Sequence, residues 1–224
     1  MAVALQTEFE QVFGFPIQEA IGMTEAVPTC FNRRDRINTG SAGEPAEGVD
    51  VRILDEHGRE APVGKAGEMV VRHPGTAVGY WNDSQATSDA IRDGWLYTGD
   101  LALKDNDGFY WFAGRKKEII IRGGSNISPQ EVEEVLLKHP AVFQAGVVGT
   151  PDPTWGESIV AFVCPHENAS CDEQELIDFA KQHLADYKTP EQIHFLEEMP
   201  LGLTGKVSRK TLKEMALTQQ EVCA

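Results

Sequence analysis

The 224-residue sequence contains few cysteines, and no two of them form a Cys-x-x-Cys pair. This spacing argues against a disulfide framework or a cysteine-based zinc site, and it favours free thiols in a reducing compartment. No apolar run approaches the roughly 20 residues that a transmembrane helix needs, so we predict no membrane span. The Gly-x-x-x-x-Gly-Lys-Ser/Thr phosphate loop of NTPases is also absent. The four cysteines are Cys30, Cys164, Cys171 and Cys223.

Basic residues are in the minority, with 20 Lys and Arg against 35 Asp and Glu and a net charge of −15. This balance argues against nucleic acid as a partner. Screening limits the range over which a charge acts to about 8 to 10 Å in physiological salt, so a local cluster of cations can still bind an anion despite the negative net charge. The sequence predicts such a patch from Arg115, Lys116, Lys117 and Arg122 together with Lys206, Arg209 and Lys210.

The segment Gly114–Pro129 combines four of these cations with an apolar strand and the pair Gly123-Gly124. Glycines let backbone N–H groups approach a ligand without a Cβ in the way, which favours a surface that binds phosphates. The same composition is also typical of a solvated edge hairpin whose lysines discourage further strand pairing. The segment alone leaves both interpretations open.

Four short motifs follow one another along the chain, and together they resemble the adenylate-forming enzymes. This superfamily contains AMP-forming acyl-CoA synthetases, peptide-synthetase adenylation domains and luciferases. The resemblance covers nearly the whole chain. The motifs are Gly22-Met23-Thr24-Glu25, Tyr97-Thr98-Gly99-Asp100-Leu101, Gly114-Arg115 and Thr204-Gly205-Lys206-Val207-Ser208-Arg209.

The resemblance implies that the chain is the C-terminal part of a protein more than twice its length. The Ser/Thr/Gly-rich phosphate loop of the family lies upstream of the Gly-x-Thr-Glu motif, and no such segment occurs here. We therefore expect the isolated chain to be inactive in adenylation.

The implied fold is α+β, with residues 1–115 as the strand-rich end of a large AMP-binding domain and residues 116–224 as a small, mobile lid domain. Apolar periodicity and turn residues predict the elements separately. In the first block they predict helices at 1–13 and 84–92, the latter capped by Ser84, and strands at 49–54, 67–72 and 109–112. They also predict a turn at Asp105-Asn106-Asp107-Gly108 before the strand at 109–112, whose aromatic run is more typical of a core than of a ligand platform. In the second block the same signals predict strands at 142–148, 158–163 and 192–196, and helices at 128–138, at 172–184 and after Arg209. Ser128, Pro129 and Glu131 predict a capping box at the start of the helix at 128–138.

Lys206 is, by resemblance, the lysine that reaches the carboxylate and the phosphate during adenylation. The alternative is an ordinary exposed loop lysine.

Glu25 is implied to hold Mg²⁺ together with phosphate oxygens, which suits the preference of this ion for oxygen ligands. Thr24 is implied to donate a hydrogen bond to the α-phosphate. Against these two roles stands a simple helix N-cap at Thr24-Glu25.

The other implied contacts surround the nucleotide and the junction. Asp100 resembles the aspartate that accepts hydrogen bonds from both ribose hydroxyls, with Tyr97 beside it, although a turn aspartate is the alternative. Arg115 is implied to contact ribose or phosphate. Lys117 falls at the hinge position, and Gly123-Gly124 lies on the side that forms the pantetheine channel after the lid rotates.

We therefore expect a cytoplasmic AMP-forming acid:CoA ligase that uses ATP, Mg²⁺ and coenzyme A to activate a fatty or aryl acid. The alternatives are a peptide-synthetase domain that loads a carrier protein and a stand-alone nucleotide-binding module without turnover. The segment around Gly123-Gly124 looks more like acyl-CoA synthetases. Ile21 departs from the aromatic residue that usually lies near adenine.

Overall fold

The computed structural model describes residues 3–202 and 205–223. The chain divides into two compact units, residues 1–117 and 118–224. Both contain helices and strands, which confirms the predicted α+β class. Within the described residues, no helix combines the length and the apolar character needed to cross a bilayer. Part of the predicted loop before Lys206, Leu203 and Thr204, lies outside the described residues, as do Met1, Ala2 and Ala224.

The first unit contains two antiparallel sheets and two helices. One sheet has the order β1-β2-β3, and the other has the order β4-β5-β7-β6 with β8 paired to β7. The predicted N-terminal helix and the strands at 49–54, 67–72 and 109–112 are confirmed. The strand at 67–72 has the predicted bounds, the strand at 49–54 begins one residue later, and the strand at 109–112 runs instead from Tyr110 to Arg115. The elements are α1 (Val3–Phe13), β1 (Ala20–Met23), β2 (Ala26–Phe31), β3 (Glu44–Pro45), β4 (Asp50–Leu54), β5 (Gly67–Arg72), α2 (Ser84–Ala90), β6 (Ile91–Arg92), β7 (Trp95–Lys104) and β8 (Tyr110–Arg115).

Apolar side chains from both sheets form the core of the first unit. Met69 and Val71 of β5 are fully buried together with Cys30 of β2. Burial raises the pKa of the Cys30 thiol to about 12. Cys30, Cys164 and Cys171 are free thiols, as predicted.

The turn before β8 follows the predicted Asp-Asn-Asp-Gly pattern. Asp105 Oδ1 accepts hydrogen bonds from the backbone N–H groups of Asp107 and Phe109, and Asp105 Oδ2 accepts one from Trp111 Nε1. Phe109 and Tyr110 are buried. The aromatic run therefore serves mainly as core, in agreement with the sequence interpretation.

The short helix α2 differs from its prediction at both ends. Asp83, rather than Ser84, is the N-cap, and its side chain accepts a hydrogen bond from the N–H of Ala86 at 2.8 Å. The helix ends at Ala90 because Ile91 and Arg92 form β6 and pair with β7. Strand pairing thus ended the helical pattern two residues early.

The second unit is one sheet of order β10-β9-β12-β11, with β13 parallel to β12. One cluster of buried side chains joins the sheet to α3 and α4, and another joins it to α5. Alternate residues of β12 contribute to the two clusters, so this strand is buried on both faces. The elements are β9 (Ile120–Arg122), β10 (Ser125–Ile127), α3 (Pro129–Leu136), β11 (Val142–Asp152), β12 (Gly156–Pro165), α4 (Glu173–His183), β13 (Gln192–Phe195) and α5 (Arg209–Cys223).

The predicted capping box at α3 does not form. Ser128 is the N-cap residue, but its side chain makes no capping hydrogen bond. Glu131 instead accepts two hydrogen bonds from Lys188 Nζ, at 2.6 and 2.8 Å. The helix ends at Leu136 rather than near Lys138. A tertiary ion pair therefore replaced the local interaction that the sequence pattern favours.

Candidate functional site in the first unit

A cavity of about 420 Å³ lies in the first unit, where the β1–β2 turn, the strand β7 and the end of β8 meet. Its lining contains one glutamate, one aspartate and three consecutive cations, so charges of both signs face the same space. The lining residues are Met23, Glu25, Tyr80, Leu96, Tyr97, Thr98, Gly99, Asp100, Arg115, Lys116 and Lys117.

Glu25 lies in the tight turn between β1 and β2, where Met23 pairs with Ala26. Its Oε1 accepts a hydrogen bond from the Tyr80 hydroxyl at 2.7 Å, and its carbonyl accepts one from the N–H of Ala77 at 2.8 Å. The hydrogen bond to Glu25, followed by burial, raises the pKa of the Tyr80 phenol. The hydroxyl therefore stays protonated and fixes one oxygen of the carboxylate.

Thr24 precedes Glu25 in the same turn but is exposed and does not line the cavity. Because the turn joins two antiparallel strands, the alternative in which Thr24-Glu25 caps a helix is wrong. The structure thus places Glu25, but not Thr24, in the lining of the cavity.

Asp100 and Arg115 form an ion pair across β7 and β8. The two residues are register partners, and Arg115 Nε lies 3.1 Å from Asp100 Oδ1. Asp100 is only 8% exposed, whereas the Arg115 side chain is 48% exposed. The N–H of Asp100 donates to Thr98 Oγ1, and this hydroxyl donates to the Met69 carbonyl. Asp100 therefore lies in a strand, so the turn-aspartate alternative is wrong.

Three further residues complete the rim of the cavity. Tyr97 lies on β7 with the Arg92 guanidinium 4.5 Å from its ring centroid. Lys116 Nζ pairs with Glu68 at 2.8 Å. Lys117 is exposed and is the last residue of the first unit. The cavity thus combines a buried carboxylate with a cationic edge, a composition that suits a phosphorylated ligand bearing hydroxyl groups.

Other members of the predicted basic patch are neutralised inside the second unit. Arg122 forms an ion pair with Glu191 and donates to the Tyr187 carbonyl at 3.0 Å. Arg209 forms ion pairs with Glu118 and Glu133. The prediction that these two arginines offer free charge to phosphates is wrong, because carboxylates distant in sequence occupy them.

The glycine pair forms the turn of the β9–β10 hairpin at the edge of the second sheet. Gly123 has φ of 56° and Gly124 has φ of 79°, as a two-residue hairpin turn requires. The N–H of Gly123 donates to the Trp155 carbonyl at 2.7 Å. A Cβ at Gly123 would lie 3.2 Å from the Trp155 ring. The edge-hairpin interpretation therefore describes this segment well.

Lys206 is exposed and lies in the loop that precedes α5. The loop is closed at its base by a bridge between Leu201 and Val207 and by a hydrogen bond from Ser208 N–H to the Pro200 carbonyl. The N–H of Gly202 donates to the carbonyl of Lys206 at 2.7 Å. The backbone of Lys206 is thus held, while its side chain extends into solvent.

Sequence reasoning missed two residues that fix these groups. Tyr80 carries no motif signal, since it lies in an irregular segment 55 positions from its partner Glu25. Glu133 belongs to a helical charge pattern that is typical of a solvated face. Burial instead raises the pKa of Glu133, and hydrogen bonds from Arg209 oppose this shift. Neither contact leaves a local signature.

The cavity has the ligand types for a metal ion that phosphate oxygens and water would help to hold. Among residues 3–202 and 205–223, no group of three or more His, Cys, Asp or Glu side chains could hold a metal ion by itself. Mg²⁺ in nucleotide sites usually binds one or two carboxylates together with phosphates and waters. The single carboxylate of Glu25 beside the cationic rim fits that pattern.

Comparisons with known proteins agree with this geometry. Residues 1–81 match the family model for AMP-binding enzymes, and residues 131–206 match that for the C-terminal domain of AMP-binding enzymes. The chain is 43% identical over 208 residues to a sulfoacetate–CoA ligase of Cupriavidus necator, and the aligned region covers 91% of the chain and 41% of the ligase. It is 41% identical over 205 residues to a 2-succinylbenzoate–CoA ligase of Geobacillus kaustophilus, covering 90% and 42%.

The crystal structure of ATP-bound MatB from Rhodopseudomonas palustris superimposes with a TM-score of 0.91 at 31% identity, covering 95% of this chain and 43% of that one. The chain therefore belongs to the adenylate-forming superfamily of AMP-binding enzymes and is of the acyl-CoA synthetase type. It spans less than half the length of these relatives.

Proposed function

We propose that the protein containing this chain is an AMP-forming acid:CoA ligase. It would activate a carboxylic acid with ATP to acyl-AMP and transfer the acyl group to coenzyme A. The observation that carries the proposal is the convergence of three motifs, through Glu25, Tyr97 with Asp100, and Arg115, on one cavity that Lys117 also lines.

In this proposal the cavity holds the nucleotide. Two oxygens of Asp100 accept hydrogen bonds from the ribose hydroxyls, and Tyr97 forms the adjoining wall. Arg115 exchanges part of its contact with Asp100 for ribose or phosphate oxygens, which its exposure allows. Ionised acceptors and donors make stronger hydrogen bonds than neutral ones. The mixed lining thus matches a ligand with both hydroxyl and phosphate groups.

Glu25 would hold Mg²⁺ through the oxygen that Tyr80 leaves free. When bound, the ion would add positive charge near the phosphates. Thr24 would donate its hydroxyl to the α-phosphate, which requires its exposed side chain to turn towards the cavity. Bringing a carboxylate to a phosphate joins two anions, so the site must above all neutralise charge and hold geometry.

Lys206 would supply the charge that bridges the carboxylate and the phosphate in the adenylation step. Residues 1–115 would belong to the AMP-binding domain, and residues 116–224 would form a lid that turns about Lys117. The Gly123-Gly124 turn would then face the pantetheine chain. Such a rotation separates two reactions in one site and protects the reactive intermediate from water.

The named relatives are CoA ligases for chemically different acids, sulfoacetate and 2-succinylbenzoate. They support CoA as the acyl acceptor over a carrier protein, and they favour an enzyme over a module without turnover. They support no single acid, and a fatty or aryl acid stays our proposed class. We likewise keep the cytoplasm as the proposed compartment.

Replacing Lys206 with alanine in the full-length enzyme tests the proposal. We expect adenylation, measured as acid-dependent pyrophosphate release, to fall by about 10² or more, as when one preorganised charge-stabilising group is removed. Thioester formation from supplied acyl-adenylate should survive. Lys210→Ala is the matched control, because Lys210 is an exposed lysine four residues away. Equal loss of both half-reactions in Lys206→Ala would contradict the proposal.

A further inference from the structure

Arg209, the first residue of α5, is the centre of a partly buried network of charges in the second unit. Its Nε donates to Glu118 Oε2 at 2.9 Å, and its Nη2 donates to Glu133 Oε2 at 2.9 Å. Its Nη1 donates to Glu133 Oε1 and to the Val147 carbonyl. The guanidinium therefore joins three separate parts of this unit to the start of α5.

The two carboxylates in the network have different surroundings. Glu133 has a side-chain exposure of 13% and also accepts a hydrogen bond from the N–H of Val147. Glu118 is more exposed, at 30%, and Arg209 is its ion-pair partner among the described residues. Loss of Glu133 would leave a buried cation without its main partner, whereas loss of the Glu118 charge would remove one peripheral contact.

Both ends of the Glu118–Arg209 contact lie beside residues of the proposed mechanism. Glu118 is the first residue after Lys117, and Arg209 comes three residues after Lys206. The Lys206 loop is closed by backbone hydrogen bonds at Gly202 and Ser208. The contact thus ties the base of this loop to the first residue of the second unit, across 91 positions of sequence.

We propose that Arg209 is a positioning residue for Lys206, and that the Glu118–Arg209 contact fixes the Lys206 loop to the start of the lid. A rotation at Lys117 then carries the loop as one rigid piece, so the ammonium returns to the same place in each cycle. The inference rests on the proposed function for the roles of Lys206 and Lys117. The network itself does not depend on that function.

Glu118→Gln is the variant of choice, because glutamine keeps the size of the side chain and leaves the Glu133–Arg209 pair in place. In this chain we expect faster amide hydrogen exchange at Gly202, Gly205 and Ser208, by about tenfold, with an unchanged melting temperature. The melting temperature should not change because the Glu118–Arg209 contact is a charge-assisted hydrogen bond at a partly exposed site, and such contacts contribute little to global stability. Glu157→Gln is the matched control, since Glu157 also pairs with α5, through Lys213 at 3.5 Å.

In the full-length enzyme, we expect Glu118→Gln to lower kcat of adenylation by about tenfold while KM for ATP and the thioester half-reaction stay unchanged. Arg209→Lys keeps the charge but loses the fork geometry, so it should act in the same direction. Adding Glu118→Gln to Arg209→Lys should then change adenylation little further, because Arg209→Lys already disrupts the contact with Glu118 that Glu118→Gln weakens.

The two measurements separate the inference from the proposed function. Unchanged loop exchange in Glu118→Gln would overturn the link between Glu118 and the loop. Faster exchange with unchanged adenylation, or equal loss of both half-reactions together with a lower melting temperature, would overturn the positioning role. A full adenylation rate in Lys206→Ala would instead contradict the proposed function, whatever the exchange data show.

Discussion

Tyr80 is the residue on which the orientation of Glu25 depends. Its hydroxyl lies 2.7 Å from Glu25 Oε1, although the residue as a whole is 41% exposed. Its backbone is held in turn, because the N–H of Tyr80 donates to Thr87 Oγ1 at 2.8 Å. One carboxylate oxygen is thus occupied, and the other can bind a ligand. A single hydrogen bond therefore controls the carboxylate for which we propose a role with Mg²⁺.

Tyr80→Phe should raise the Mg²⁺ concentration needed for half-maximal pyrophosphate release by roughly threefold to tenfold in the full-length enzyme, because the free carboxylate samples more rotamers. This range corresponds to the net worth of one hydrogen bond, about 0.5 to 1.5 kcal/mol. kcat at saturating Mg²⁺ should change little. Tyr187→Phe, which removes a hydroxyl from the second unit, is the control. An unchanged Mg²⁺ requirement would contradict this role of Tyr80.

At the scale of elements, α5 lies against β11 because β11 carries a glycine at the point of contact. A Cβ at Gly146 would lie 2.5 Å from Leu212 Cδ1 and 3.2 Å from Val207 Cγ1. Leu212 is fully buried, so its side chain has little room to move away. Gly146 therefore sets how closely the helix approaches the sheet, and with it the position of the loop that contains Lys206.

Gly146→Ala should lower the free energy of unfolding of the second unit by about 1 to 3 kcal/mol, which is typical of overpacking a core. Chemical denaturation of this chain measures the change. Gly202→Ala is the matched control, because among the described residues the added Cβ would meet only the Lys206 carbonyl oxygen at 3.6 Å, an ordinary contact. Equal stabilities of the two variants would show that α5 adapts to the extra methyl group.

At the scale of the whole molecule, the chain changes from one compact unit to the other between Lys117 and Glu118. Both residues belong to one short 3-10 turn, Lys116–Glu118. A hinge residue must change φ and ψ while the flanking elements remain rigid. The single turn between β8 and β9 offers few residues that could absorb such a change, which supports Lys117 as the proposed hinge.

Lys117→Pro should trap one arrangement of the two units, since proline locks φ near −65° and removes the N–H. We expect adenylation to survive and CoA ligation to be lost when the two half-reactions are measured separately. Lys117→Ala removes the charge but leaves the backbone free, and it should be mild. Equal impairment by alanine and proline would contradict the hinge and would favour direct binding of phosphate by the ammonium.

The local elements could be predicted from the sequence because their signals are local. Alternating apolar residues predicted β4, and the turn at Asp105 predicted the aromatic strand that follows it, β8. The glycine pair predicted the β9–β10 turn. The predictions were wrong where a residue distant in sequence supplied a stronger interaction than the local pattern. Glu131, for example, pairs with Lys188 instead of capping α3. Likewise, α2 is shorter than predicted because Ile91 and Arg92 pair with β7 as the strand β6.

The sequence by itself determined the α+β elements, their order and the motifs that place the chain in its superfamily, because turns, periodicities and short motifs act within a few residues. Only the tertiary structure decided which cations line the cavity. Arg122 meets Glu191 across 69 positions, and Arg209 meets Glu133 across 76. Ion pairs at such separations depend on how strands and helices pack. They left Arg115, Lys116 and Lys117, and not the whole basic patch, at the cavity.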